Sequence, residues 1–196
     1  MVPETFKVQA FSTIGCRRTK FTRRLGVRVV MAPRTQRECV ICRGREGDGE
    51  LGRVEVWEDP LWRLTTSLES EVLGFSYLEP KRHIPHVTDL DGREAQTLGP
   101  VLGRTTHALK DATGADLVYV YVFGGGIPHL HIHLAPHRKD DALNDRIIRG
   151  DVVSETLRSG ASRIVSKDFP ALPVDDLRAA ADRIRERLLR GTRASR

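Results

Sequence analysis

The sequence predicts an α+β domain with a further helix near its C-terminal end. Three features predict it: short runs with strand periodicity, one long helical stripe lying among them, and a second amphipathic stripe close to residue 196.

Arg53 to Glu58 alternates Val54 and Val56 with charged neighbours, as a half-buried strand does. Leu61 to Ser67, after Pro60, gives a second strand, and Gly74 to Glu79 a third, ended by Pro80. Residues 45–52 read as a turn-rich loop. Asp91 to Ala112 reads as a helix, because Ala95, Leu98, Leu102, Thr105, Leu109 and Ala112 recur at steps of three and four on one face. Asp91 and Glu94 have the spacing of a capping box, and Gly114 closes the helix. Pro100 inside the stripe implies a late start or a kink. Leu117 to Phe123 is dense in β-branched and aromatic residues, which predicts a central strand. The chain then turns at Gly124-Gly125-Gly126, and His129 to Ala135 follows as the partner strand. Val174, Leu177, Ala181, Ile184 and Leu188 form the last stripe. Asp175 and Asp176 suit its positive end, Arg187 and Arg190 its negative end, and Gly191 stops it. That helix packs either on the core or on a partner chain.

The 196 residues, 39% hydrophobic and 30% charged, suffice for one domain with a real core. No apolar run approaches the roughly 20 residues of a membrane span, and the N-terminus lacks the apolar stretch of a secretory signal. A cytoplasmic protein without membrane partners is expected. The net charge of +6 is concentrated in residues 1–30, where seven bases face one acid, Glu4. Residues 31–196 balance 25 bases with 25 acids, which disfavours a nucleic-acid binder. Residues 1–36 therefore read as a basic leader, with Met31 as an alternative start. Residues 37–138 read as the domain and 139–196 as a C-terminal extension.

The chemistry concentrates in His129, His131 and His133. On a strand, alternate residues share a face, so the three imidazoles line one side about 6–7 Å apart while Leu130, Ile132 and Leu134 fill the other. A core does not need three imidazoles, each with polar nitrogens to satisfy. Two readings fit: a zinc site with an open position, or a nucleophilic imidazole that attacks phosphorus. Cys16, Cys39 and Cys42 are too few for a disulfide framework, but Cys39 and Cys42 form a C-x-x-C pair. His83, in Pro80-Lys81-Arg82-His83, and one triad histidine can complete a closed Cys₂His₂ zinc site. The other reading of the pair is a redox dithiol, for which no thioredoxin-like context is present. Gly124, Gly125 and Gly126 serve either as a plain hairpin turn or as a backbone cradle for phosphate. Arg138 and Lys139 stand just past the strand as added positive charge or a solvated loop end, and His86 and His107 read as exposed.

From Cys39-Val40-Ile41-Cys42, through Tyr77-Leu78-Glu79-Pro80-Lys81-Arg82-His83, to His129-Leu130-His131-Ile132-His133-Leu134, the sequence resembles the histidine-triad superfamily over about half its length, roughly residues 38–138. The resemblance implies a five-stranded antiparallel sheet with a long helix, often paired into a homodimer. It implies His131 as the nucleophile on a nucleotide α-phosphate, with His133 orienting the site and binding phosphate. In the zinc-bearing branch Cys39, Cys42, His83 and His129 hold the metal. Substrates of the superfamily are nucleoside phosphoramidates, dinucleoside polyphosphates and nucleotide sugars. His133 resembles the hydrolase branches, since uridylyltransferase relatives carry Gln there. Two positions depart from the hydrolase pattern: Phe75 follows Gly74 where His is usual, and Gly125 stands where Gln or Ser is usual. The expected activity is a nucleotide hydrolase or nucleotidyl transferase, the alternative a nucleotide-binding module of weak turnover.

Overall fold

A computed structural model describes residues 38–123, 126–139, 152–167 and 169–193. The leader reading for residues 1–36 falls outside this range, as do Gly124 and Gly125. Five strands form one sheet: β1 (Arg53–Glu58), β2 (Trp62–Ser67), β3 (Ser76–Pro80), β4 (Leu117–Val122) and β5 (Ile132–His137). All neighbours are antiparallel, in the order β1-β2-β3-β5-β4.

Strand alternation decides the two faces. Leu64, Leu78, Ile132 and Leu134 point to one of them and pack with Trp62, Val101, Leu109, Ile184 and Leu188 as the main core. Burial of each such side chain contributes about 1.5–3 kcal/mol. Two helices cover this face, α2 (Gly92–Thr113) and α3 (Val174–Arg193). Of the two packing alternatives for α3, the core is the one realised: Leu177, Ala180, Ala181, Ile184 and Leu188 are all buried. The helices also satisfy each other's carbonyls. Arg183 Nε donates to Ala112 O at 3.0 Å and Arg104 Nη2 to Leu188 O at 2.8 Å.

Several elements differ from the sequence reading. Residues 45–50 are not loop but a short helix, α1 (Arg45–Glu50). Gly47 allows it to press on the preceding turn, since a Cβ there would lie 1.7 Å from Val40 O. Asp91 is the N-cap of α2 but makes no capping bond. Arg82 takes both carboxylates instead, pairing with Asp91 and with Glu94 at 3.1 Å. The helix runs through Pro100 without a late start, its buried face (Val101, Thr105, Leu109) held by the core. It ends on Gly114 in the left-handed region, φ 68°, whose N–H donates to Lys110 O.

Strand β4 is an edge, not a central strand, because β5 returns into the slot between β3 and β4. Tyr119 is 50% exposed and Val120 44%. Strand β5 starts at Ile132, three residues later than expected. The extension carries a hairpin that the sequence reading left unassigned, β6 (Val152–Thr156) and β7 (Ser162–Ser166). Leu157 and Ala161 at its turn pack on the small cluster of Cys39, Ile41, Leu51 and Ile127. Ser159 N–H donates to Glu50 at 2.7 Å, and Arg163 pairs with Glu69.

Candidate active site and metal centre

Cross-strand register builds the second face of the sheet. Thr65, Tyr77, His133 and Tyr121 stand side by side on β2, β3, β5 and β4. Over them lies a cavity of about 620 Å³, floored by His131, His133, Tyr77, Phe75 and Arg53, and roofed by Ser154, Ser162, Arg163 and Val165 of the β6–β7 hairpin. Tyr121 and Phe123 close one side.

The alternation expected of the triad holds for the aliphatics: Leu130, Ile132 and Leu134 are buried in the main core. The imidazoles do not form one even row. His129 precedes the β5 ladder, its N–H bonded to Ile127 O at 2.8 Å, and its ring turns toward the cysteines. His131 and His133 remain together in the cavity with ring centroids 5.1 Å apart.

Cys39, Cys42, His83 and His129 bring one ligand atom each within 4.8 Å of one another. His129 Nδ1 lies 3.4 Å from Cys39 Sγ and 3.3 Å from Cys42 Sγ, and His83 Nδ1 lies 3.4 Å from Cys42 Sγ. A tetrahedral zinc with ordinary Zn–S and Zn–N bonds requires S···N edges of about 3.5 Å. The far nitrogen of His129 is held at 2.8 Å by the Pro80 carbonyl oxygen, which sets the tautomer that ligates through Nδ1. Burial, chiefly, lowers the His129 imidazole to about 4, so it is neutral. Burial first, and then the neighbouring Cys39, push the Cys42 thiol up to about 12. A bound cation would offset that rise and hold Cys42 as a thiolate, which favours metal over redox use. Four protein donors leave no position for water. The set fits a structural zinc.

His131 is 8% exposed. Its Nδ1 donates to His129 O at 2.6 Å, which leaves the lone pair on Nε2. Burial first, then the nearby Arg53 charge, lowers the imidazole to about 4, so it is neutral near pH 7. The His133 ring is stacked on Tyr121, with centroids 4.9 Å apart and planes 8° apart, and meets Tyr77 edge-on at 5.2 Å.

Neither a protein-family model nor a curated protein matches the sequence. Solved structures do match. A zinc-bound histidine triad family protein from Mycobacterium smegmatis is 19% identical and superposes with a TM-score of 0.59, covering 82% of this chain and 99% of that one. A hypothetical histidine triad nucleotide-binding protein from Sulfolobus tokodaii is 21% identical, TM-score 0.57, over 79% and 95%. A histidine triad protein from Bradyrhizobium japonicum is 20% identical, TM-score 0.56, over 71% and 92%. The chain has the histidine-triad fold.

Within that fold the structure adds residues that motif reasoning did not single out. Glu79 is wholly buried behind the cavity floor and receives Arg53 Nη1 at 2.8 Å and Arg63 Nε at 3.0 Å. Arg63 also pairs with buried Asp48. Burial pushes both carboxyls up, and the arginines pull them back. Arg53 and Glu55 alternating on β1, with one charge each on β2 (Arg63) and β3 (Glu79), were the available signal, but a half-exposed strand gives the same pattern. The hairpin roof carried its own signal, Arg158-Ser159-Gly160 between β-branched pairs.

Other residues fall elsewhere on the histidine-triad fold. Arg138 bonds Thr113 O at the end of α2 and lines a separate cavity with Arg183 and Asp176, so it adds no charge to the triad. The Lys139 N–H donates to Asp116. His86 is exposed beside a short 3-10 turn, and His107 is exposed on α2, as expected. Gly126 lines the cavity, where its Cβ would sit 3.1 Å from Ser162 O. No helix among the described residues is long and apolar enough to cross a membrane.

Proposed function

We propose that this protein is a nucleotide hydrolase or nucleotidyl transferase that works through a covalent nucleotidyl-histidine on His131. The observation that carries the reading is a neutral imidazole fixed by its own backbone on the floor of an aromatic cavity, with its lone pair on Nε2. Nε2 attacks the α-phosphorus, a P–N bond forms, and the bond to the leaving group breaks. The leaving group departs with that electron pair and takes up a proton. Water, or an acceptor hydroxyl in a transferase, then attacks phosphorus, loses its proton, and returns the electron pair to Nε2. His133 binds the phosphoryl oxygens, and the Gly124–Gly126 backbone adds N–H donors. The rings of Tyr121 and Phe123 give a nucleobase apolar surface to pack on. This reading places the protein in the zinc-bearing hydrolase branch of the histidine-triad proteins, with Cys39, Cys42, His83 and His129 as ligands. In support, the Mycobacterium smegmatis structure is described as zinc-bound and the Sulfolobus tokodaii one as nucleotide-binding. A reducing cytoplasm suits thiolate ligands.

The partner we assign besides substrate is a second copy. Among the described residues strand β4 is an edge strand; it has no charged residue over 117–123 and exposes Leu117, Tyr119, Val120, Val122 and Phe123. Such an edge pairs with itself about a two-fold axis.

A second reading, nucleotide binding with little turnover, draws on Phe75. Its buried ring lies 6.0 Å from that of His133, in the place of a polar group. One experiment separates the two. Purified protein is assayed on adenosine phosphoramidate, diadenosine polyphosphates and nucleotide sugars, beside His131→Ala. Turnover of one class that the variant loses supports the enzyme. Nucleotide binding with no turnover on any of them supports the module.

A further inference from the structure

Arg53 opens β1 with its side chain 7% exposed, yet it lines the cavity with His131 and His133. A guanidinium has five N–H donors. Among the described residues Arg53 makes one hydrogen bond, from Nη1 to Glu79. Its Cζ sits 3.4 Å above the centroid of the Tyr77 ring. Stacking covers one face of the guanidinium plane and leaves the in-plane N–H groups open. Glu79 cannot swing away, since Arg63 grips its second oxygen and Asp48 grips Arg63. Arg53 is thus tethered at one corner and supported on one face, with its other donors at the cavity. Glu79 meets its charge, and the buried N–H donors left over suit the oxygens of an anionic ligand in the cavity.

We infer that Arg53 is the phosphate clamp of this site, binding the non-bridging oxygens of the phosphoryl group held at His131. The assignment rests on the nucleotide reading above and deepens it. It also supplies side-chain N–H donors, which Phe75 and Gly125 do not. Negative charge that grows on those oxygens in the transition state would meet a preorganised planar donor.

The test measures dissociation constants for AMP, adenosine and inorganic phosphate by calorimetry, on wild type, Arg53→Gln and Arg53→Lys. Zinc content and melting temperature check the fold of each. Charge-assisted hydrogen bonds of this kind predict that Arg53→Gln weakens AMP about tenfold to a hundredfold and leaves adenosine unchanged. Arg53→Lys keeps the charge without the planar fork, so it falls between them. Should Arg53→Gln fail to fold, Arg53→Lys decides by the same AMP-to-adenosine ratio. An unchanged ratio in a folded variant overturns the clamp and leaves the nucleotide reading standing. Phosphate binding that depends on Arg53, in a protein that binds neither adenosine nor AMP, supports the anion site and overturns the nucleotide reading.

Discussion

The Nδ1–H of His131 donates to the carbonyl oxygen of His129 at 2.6 Å, so the backbone of a zinc-site residue orients the ring proposed to attack phosphorus. The ring of His129 is in turn held between two cysteine sulfurs and the Pro80 carbonyl. Removing the metal should release this chain of contacts and leave the buried Cys39 and half-buried Cys42 without a cation. Chelation is therefore expected to lower melting temperature and activity together, and added zinc to restore both. Cys39→Ala should lose bound metal and drop the melting temperature on the order of 10 °C, as expected when a structural site worth several kcal/mol is lost. Metal analysis beside calorimetry checks this. Metal loss with an unchanged melting temperature would refute a structural role.

Tyr121 lies flat on His133 while Tyr77 meets it edge-on, so two neighbouring strands hold the last triad ring. Tyr121→Ala removes the stacked partner from a half-exposed edge strand at little cost to the core. Loss of an aromatic pair worth about 0.5–1.5 kcal/mol predicts a rate lower by about twofold to tenfold. Tyr121→Phe keeps the stack and should behave as wild type. Steady-state kinetics on the active substrate class decide it; equal loss in both variants would mean that the hydroxyl, not the ring, matters.

The parts of this fold that rest on local periodicity were readable in the chain. Val54 and Val56 mark β1, and the stripe from Ala95 to Ala112 marks α2. Three zinc donors, Cys39, Cys42 and His83, were readable because C-x-x-C and histidine have restricted uses, whereas His129 was singled out among the triad by the family resemblance alone. What the sequence hid depends on tertiary context. The run Leu117–Phe123 is as apolar as a central strand, and only the return of β5 into the sheet makes it an edge. Asp48, Arg63 and Glu79 look like surface charges until β1, β2 and α1 close over them. Arg53 reads as one more strand-flanking base until Tyr77 is seen beneath it.

Strand β4 carries the next expectation. Its Tyr119 and Val120 are 50% and 44% exposed on a run with no charge, in the edge strand of the sheet among the described residues. A second copy pairing there should give a dimer in sedimentation equilibrium. Val120→Lys places a cation in the centre of that edge, opposite its own copy, and should shift the species to monomer. Zinc content should stay unchanged, since Val120 touches none of the ligands. A monomeric wild type, or a Val120→Lys protein that remains dimeric, would remove this edge as the interface.

The hairpin β6–β7 roofs the cavity with Ser154, Ser162, Arg163 and Val165, and Gly126 lies close beneath its Ser162. A Cβ at Gly126 would stand 3.1 Å from Ser162 O, so Gly126→Val must push the hairpin outward. The main core lies apart from this contact, the hairpin turn packs beside Cys39 and Ile127, so zinc content serves as the control, and overpacking of this kind costs about 1–3 kcal/mol. If the roof contacts substrate, that cost appears in binding, as nucleotide affinity weaker by about fivefold to a hundredfold with the zinc content of the wild type. Calorimetric titration of AMP into Gly126→Val measures it. Unchanged affinity would make the hairpin a cover for Cys39, Ile41 and Ile127 rather than a wall of the site, since Leu157 and Ala161 at its turn already pack on that cluster.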